Sequence, residues 1–131
     1  MSLAVVLVDE TTDGKKLHRT ELKLVSERVT LREIIASRIK QEIDKHNSQK
    51  DEMFFGLVRP TDTEASLNGY KLRKPRTVSY EKQFEKAITA FENNGFFVLL
   101  NNKQIEALDE PLILTEDSEI SFVKLVQLIG G

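Results

Sequence analysis

The chain has 131 residues, no cysteine, and 19 basic against 21 acidic side chains, for a formal charge of −2. That length can bury a core without cross-links, and the missing cysteine excludes a disulfide framework, a thiolate zinc site and a cysteine nucleophile, and fits a reducing compartment. The near-balanced charge gives no global argument for nucleic acid or a membrane surface as partner.

Leu3–Val8 opens the chain as a β-branched run. It is too short for the apolar core of a signal peptide and lacks a basic lead, and no other run approaches the roughly 20 residues that span a bilayer. The expectation is a cytoplasmic protein with no membrane contact. The run closes in Asp9-Glu10-Thr11-Thr12-Asp13-Gly14, a polar turn cluster. Leu17–Val25 then alternates, with Leu22 and Leu24 on the same side as His18 and Thr20, and the two runs predict a hairpin. His18 reads as an edge histidine: a zinc site needs three or four ligands, and His46 is the only other histidine in the sequence.

Thr30-Leu31-Arg32-Glu33 is a capping box. Leu31, Ile34, Ile35, Ile39 and Ile43 follow at helical spacing, which predicts an amphipathic helix ending near His46-Asn47, with Arg32, Lys40, Glu42 and Asp44 in water. Hairpin followed by helix is the opening half of a β-grasp domain, in which a sheet wraps one helix.

The middle is less regular. Met53–Val58 reads as a short buried strand and Pro60–Gly69 as a loop, with Asn68-Gly69 as its turn signal. Lys71-Leu72-Arg73-Lys74-Pro75-Arg76 is the one concentrated basic run. Without a wider basic face and aromatic platforms it reads as a solvated loop, with docking of an acidic partner as the other reading. From Ser79 the period turns helical, with Tyr80, Phe84, Ala87, Ile88 and Phe91 on one face as core and Asn94-Gly95 as the stop. The expected layout is one domain over 1–131, with 48–94 inserted into it and carrying a second helix.

Phe96–Leu100 and Lys103–Ile105 read as strands joined through Asn101-Asn102, residues that tolerate positive φ. A loop, the apolar segment Leu112–Leu114, an acidic turn and a last strand from Ile120 come next. That strand runs through Val126-Gln127-Leu128-Ile129 into Gly130-Gly131. If Ile120 and Phe122 face the core, alternation sends Ser121, Val123 and Leu125 outward and Lys124 inward, its ammonium reaching water. Residues 123–131 are then a flexible tail, with Val123, Leu125, Leu128 and Ile129 as an apolar docking strip.

Two glycines, having no Cβ, can be drawn extended into a channel too narrow for side chains, which would give a partner access to a carboxylate at Gly131. A carboxylate is inert at neutral pH. Joining it to a nucleophile requires activation, most simply as an acyl-adenylate formed with ATP on another protein. The chain would be substrate and carrier, not an enzyme. Consistently, it has no phosphate-binding glycine loop, no serine in a nucleophile-elbow setting, and no carboxylate pair that can be placed on one face of a cleft.

Val98-Leu99-Leu100-Asn101-Asn102-Lys103 resembles the "V-x-V-N-G-x" hairpin of the sulfur-carrier proteins of molybdopterin and thiamin biosynthesis. Thr115-Glu116-Asp117-Ser118-Glu119-Ile120 resembles their "GD-x-V" turn into the closing strand, and Gly130-Gly131 their terminal pair. The resemblance covers the first strand, the first helix and about the last 37 residues. It implies an α+β, ubiquitin-like β-grasp fold, with Gly131 as the residue activated and Gly130 as its steric permit. The implied partner is an activating (adenylating) enzyme, which uses the ATP; the chain itself is expected to bind no cofactor and no metal. The long insertion and the tail, closer in length to that of ubiquitin and more apolar, depart from the minimal carriers.

Three functions are compatible with these features. The first is a ubiquitin-like modifier, joined through Gly131 to lysines of target proteins. The second is a sulfur carrier holding a Gly131 thiocarboxylate supplied by a sulfur donor, and the third a β-grasp binding module that is never activated. The elaborated surface and longer tail favour the modifier, expected to act as a monomer.

Overall fold

Leu3–Thr11 (β1) and Lys16–Leu24 (β2) pair antiparallel, Val5 opposite Leu22 and Leu3 opposite Leu24. Val5, Leu7, Leu22 and Leu24 bury on one face as their period of two dictates. Gly14, at φ 87°, takes the left-handed turn position between the strands. The computed structural model describes residues 3–49, 53–61, 63–65, 69–72 and 77–125.

After the two-residue strand Arg28–Val29 (β3), helix α1 spans Leu31–Gln49. Its start is the expected reciprocal cap: the Thr30 amide donates to Glu33 Oε1 at 3.1 Å and the Glu33 amide to Thr30 Oγ1 at 3.2 Å. The helix runs past the expected stop at His46-Asn47, because His46 is itself buried and packs edge-on against Phe54, ring centroids 5.2 Å apart.

Three short strands come next: Met53–Phe54 (β4), Thr63–Ala65 (β5) and Tyr70–Leu72 (β6), in the order β4-β6-β5. The expected Met53–Val58 strand is cut at Phe54, where Gly56 turns the chain so that Leu57 and Val58 bury separately. Part of the expected Pro60–Gly69 loop is β5, whose pairing with β6 no local pattern announced. Asn68 and 73–76 of the basic run lie outside the described residues.

Helix α2 (Tyr80–Glu92) is capped by Ser79 and stopped by Asn94, at φ 60°. Tyr80, Phe84, Ile88 and Phe91 pack partly buried against the core, and Ala87 is fully buried. Phe96–Leu100 (β7) and Lys103–Ile105 (β8) form the second hairpin, with Asn101 at φ 49° and Asn102 at φ 70°. Leu112–Ile113 (β9) pairs with β3, and Glu119–Lys124 (β10) is the last strand.

The main sheet is mixed and five-stranded, in the order β2-β1-β10-β7-β8. β10 lies at its centre, parallel to β1 and antiparallel to β7. The inward residues Leu7, Val98, Ile120 and Phe122 form one core with Leu31, Ile34, Ile35 and Ile39 of α1. The class is therefore α+β. No described helix is long and apolar enough to cross a membrane.

Candidate functional site

Because β10 alternates, Ile120, Phe122 and Lys124 share the inner face with their neighbours Leu7, Asp9 and Thr11 on β1. Ile120 and Phe122 are fully buried. On the outer face Val123 is half-buried, and Leu125, just past the strand, is 48% exposed. Two members of the expected docking strip thus sit side by side where the chain leaves the sheet. The other two, Leu128 and Ile129, lie outside the described residues, as do Gly130 and Gly131.

Ser121 corrects the expected outward exposure: it is 4% exposed. Its outer-face neighbours are Val8 and Leu99, in a row crossing the middle of the sheet.

A second correction lies beneath the strand end. Asp9, the next inward residue after Val5 and Leu7, faces Arg38 of α1, which donates through Nη1 and Nη2 to its two carboxylate oxygens at 2.5 and 2.6 Å. Both side chains are 7% exposed. Arg38 Nε also donates to Glu42 Oε1 at 3.3 Å, and the guanidinium lies 4.5 Å over the Phe122 ring. Glu42, expected in water, turns inward instead. Its carboxylate accepts the Leu57 amide at 2.8 Å, fixing the bend after β4.

Lys124 completes the group. Its stem packs inward as expected, but the ammonium donates to the Gly56 carbonyl at 3.2 Å. Gly56 has no room for a Cβ, which would run into the Phe54 ring and stand 2.9 Å from Glu42 Oε2. Two carboxylates and two cations therefore balance in a low-dielectric setting where any one alone would be costly.

Their acidities reflect that packing. Burial pushes Asp9 up, but the hydrogen bonds and charge of Arg38 outweigh it and hold the carboxyl below the usual range. For Glu42 burial wins over the Arg38 charge, and its carboxyl is raised. Burial lowers Lys124 against the pull of Asp9. Burial also disfavours the Arg38 cation, yet Glu42 and Asp9 together hold its pKa above the usual guanidinium value.

Asp9, Arg38 and Glu42 line a cleft of about 530 Å³ between β2, α1 and the bend after β4, with His18, Arg19, Lys45 and the half-exposed Phe55 around it. His18 is exposed on the edge strand, its ring 6.0 Å edge-on from Phe55. Among the described residues no group of three or more His, Asp or Glu could hold a metal.

The sequence carried a signal for this network. Asp9 belongs to the period-two set with Val5 and Leu7, and Arg38 falls among Ile34, Ile35 and Ile39 on the helix stripe. Opposite charges on two facing buried stripes predict a pair. Comparison with known protein families, with curated proteins and with solved structures returns no match.

Proposed function

We propose that the chain is a ubiquitin-like β-grasp protein modifier. In this reading the Gly131 carboxylate attacks the α-phosphorus of ATP on a partner enzyme, releasing pyrophosphate. A lysine amine of a target protein then takes the acyl group from the adenylate, releasing AMP and forming an isopeptide bond.

The observation that carries this reading is the placement of β10. A strand held between β1 and β7 anchors the residues beyond it, and the chain departs at exposed Leu125 beside half-buried Val123. The six residues after Leu125 can reach at most about 20 Å from that anchor. Leu125, Leu128 and Ile129 would give the activating enzyme apolar purchase, and Gly130-Gly131 the slim end for its channel. The β-grasp assignment is supported by the order of parts: a hairpin, a helix packed on the sheet's inner face, a second hairpin, and a closing strand parallel to the first. In that scheme 48–94 is an insertion into the smaller fold.

The sulfur-carrier reading is favoured by one contact. The Asn101 amide donates to the Glu119 carbonyl and the Glu119 amide to Asn101 Oδ1, both at 2.9 Å, joining the two segments that resemble the carriers.

Trypsin cleaves after Lys124, so Leu125–Gly131 is a diagnostic fragment. Digestion of native-host lysate and mass spectrometry separate the readings. The fragment branched onto lysines of other proteins is the expected result. A free fragment with one oxygen replaced by sulfur makes the chain a sulfur carrier. The plain carboxylate alone, with the protein abundant and its neighbours expressed, overturns activation and leaves a binding module.

A further inference from the structure

The bend after β4 and the end of β10 share their fastenings. Glu42 accepts the Leu57 amide, Lys124 donates to the neighbouring Gly56 carbonyl, and the Gly56 Cα lies too close to Phe54 and Glu42 for any side chain. Lys124 is also the last paired residue of β10, opposite Phe96 and Thr11. On the other side of Gly56, Phe55 is 53% exposed and accessible to a partner, while Phe54 is buried.

We infer that Gly56 and Lys124 form a latch that sets where the C-terminal segment begins. Engaged, the latch holds β10 in register through Lys124 and the chain leaves the sheet at Leu125. With the bend displaced, Lys124 loses its acceptor, the terminal pair Val123-Lys124 parts from Phe97 and Phe96 on one side and from Glu10 and Thr11 on the other, and the segment beyond the sheet gains two residues, about 7 Å of reach. The coupling is reciprocal, as any linkage between two sites must be. A partner that lifts the bend through Phe55 releases Val123-Lys124 from the sheet, and an enzyme that pulls on the chain beyond Leu125 loosens the bend. The regulatory value of the latch rests on the reading of the last residues as a working tail; its physical existence does not.

Amide hydrogen exchange on the full-length chain tests it without any partner enzyme. Gly56→Ala is expected to speed exchange at Phe122–Leu125 about tenfold relative to Leu22 in the first hairpin, as for a local opening. Lys124→Met is expected to speed exchange of the Leu57 amide in return. If Gly56→Ala does not fold, Glu42→Gln replaces it, keeping the volume while weakening the acceptor of the Leu57 amide. Exchange confined to the mutated side in both variants overturns the latch. A lysate that yields no branched fragment while the exchange stays coupled overturns the modifier reading and leaves the latch standing.

Discussion

Arg38 grips Asp9 with two parallel hydrogen bonds across 29 residues of sequence, joining the face of α1 to the inner face of β1. The ring of Phe122 lies beneath the guanidinium and Glu42 stands one helical turn away. The pair thus sits where sheet, helix and the bend after β4 meet.

Breaking that pair from one side strands a buried charge. Arg38→Met is expected to lower unfolding stability by about 3–5 kcal/mol, and Asp9→Asn by a comparable amount. Arg38→Met combined with Asp9→Leu removes both charges and should recover a large part of the loss. Urea denaturation of the wild type, Arg38→Met, Asp9→Leu and the double variant closes a double-mutant cycle that measures the coupling.

The two carboxyls pull stability in opposite directions with pH. Asp9 is depressed in the folded chain, so its contribution is present above the ordinary value of 3.8 and is lost as pH falls through the folded one. Glu42 is raised, so its contribution is full below 4.5 and is lost as pH rises through its folded value. Asp9→Asn is expected to flatten the stability curve below pH 3.8, and Glu42→Gln to flatten the decline above pH 4.5. Denaturation midpoints measured across that range check both slopes.

The turn between β7 and β8 predicts an asymmetry between two like residues. Both asparagines adopt positive φ, but only the Asn101 side chain accepts a bond, from the Glu119 amide. Asn102→Gly relieves the backbone and should stabilise by up to about 1 kcal/mol. Asn101→Gly relieves it equally but loses the bond to Glu119, and should end about 1 kcal/mol less stable than Asn102→Gly. Thermal melts should place Asn102→Gly above Asn101→Gly.

Leu125 lies beyond the last pairing and is half-exposed. Leu125→Asp is therefore expected to change stability by less than about 0.5 kcal/mol. In the proposed modifier it should nevertheless cut adenylation by the cognate activating enzyme about tenfold or more, the cost of desolvating a charge in an apolar dock. ATP–pyrophosphate exchange beside a melting curve separates the two effects.

The parts of the fold governed by local chemistry were legible in the residues. Thr30 and Glu33 announced a helix start, Asn101-Asn102 a tight turn, and the β-branched run Leu3–Val8 with the alternating Leu22 and Leu24 a hairpin. The features that escaped notice depend on partners distant in sequence. Strand β5 exists through its pairing with β6, Ser121 lies mid-sheet between Val8 and Leu99, and Glu42 turns inward, where its carboxylate accepts the Leu57 amide. Of the residues proposed to meet a partner, Val123 and Leu125 lie where alternation put them. The glycines were legible only as chemistry.

The central place of β10 also bears on how the chain matures. A ribosome delivers β1 and then β7 before the strand that separates them, so until residues 119–124 emerge each presents one open edge beside an unfinished core. Pairing the first strand with the last is a long-range closure, slow by its topology and exposed to misassociation while it waits. A chain cut short anywhere before Glu119 lacks the strand that joins β1 to β7, so the two hairpins of the sheet have nothing to hold them edge to edge.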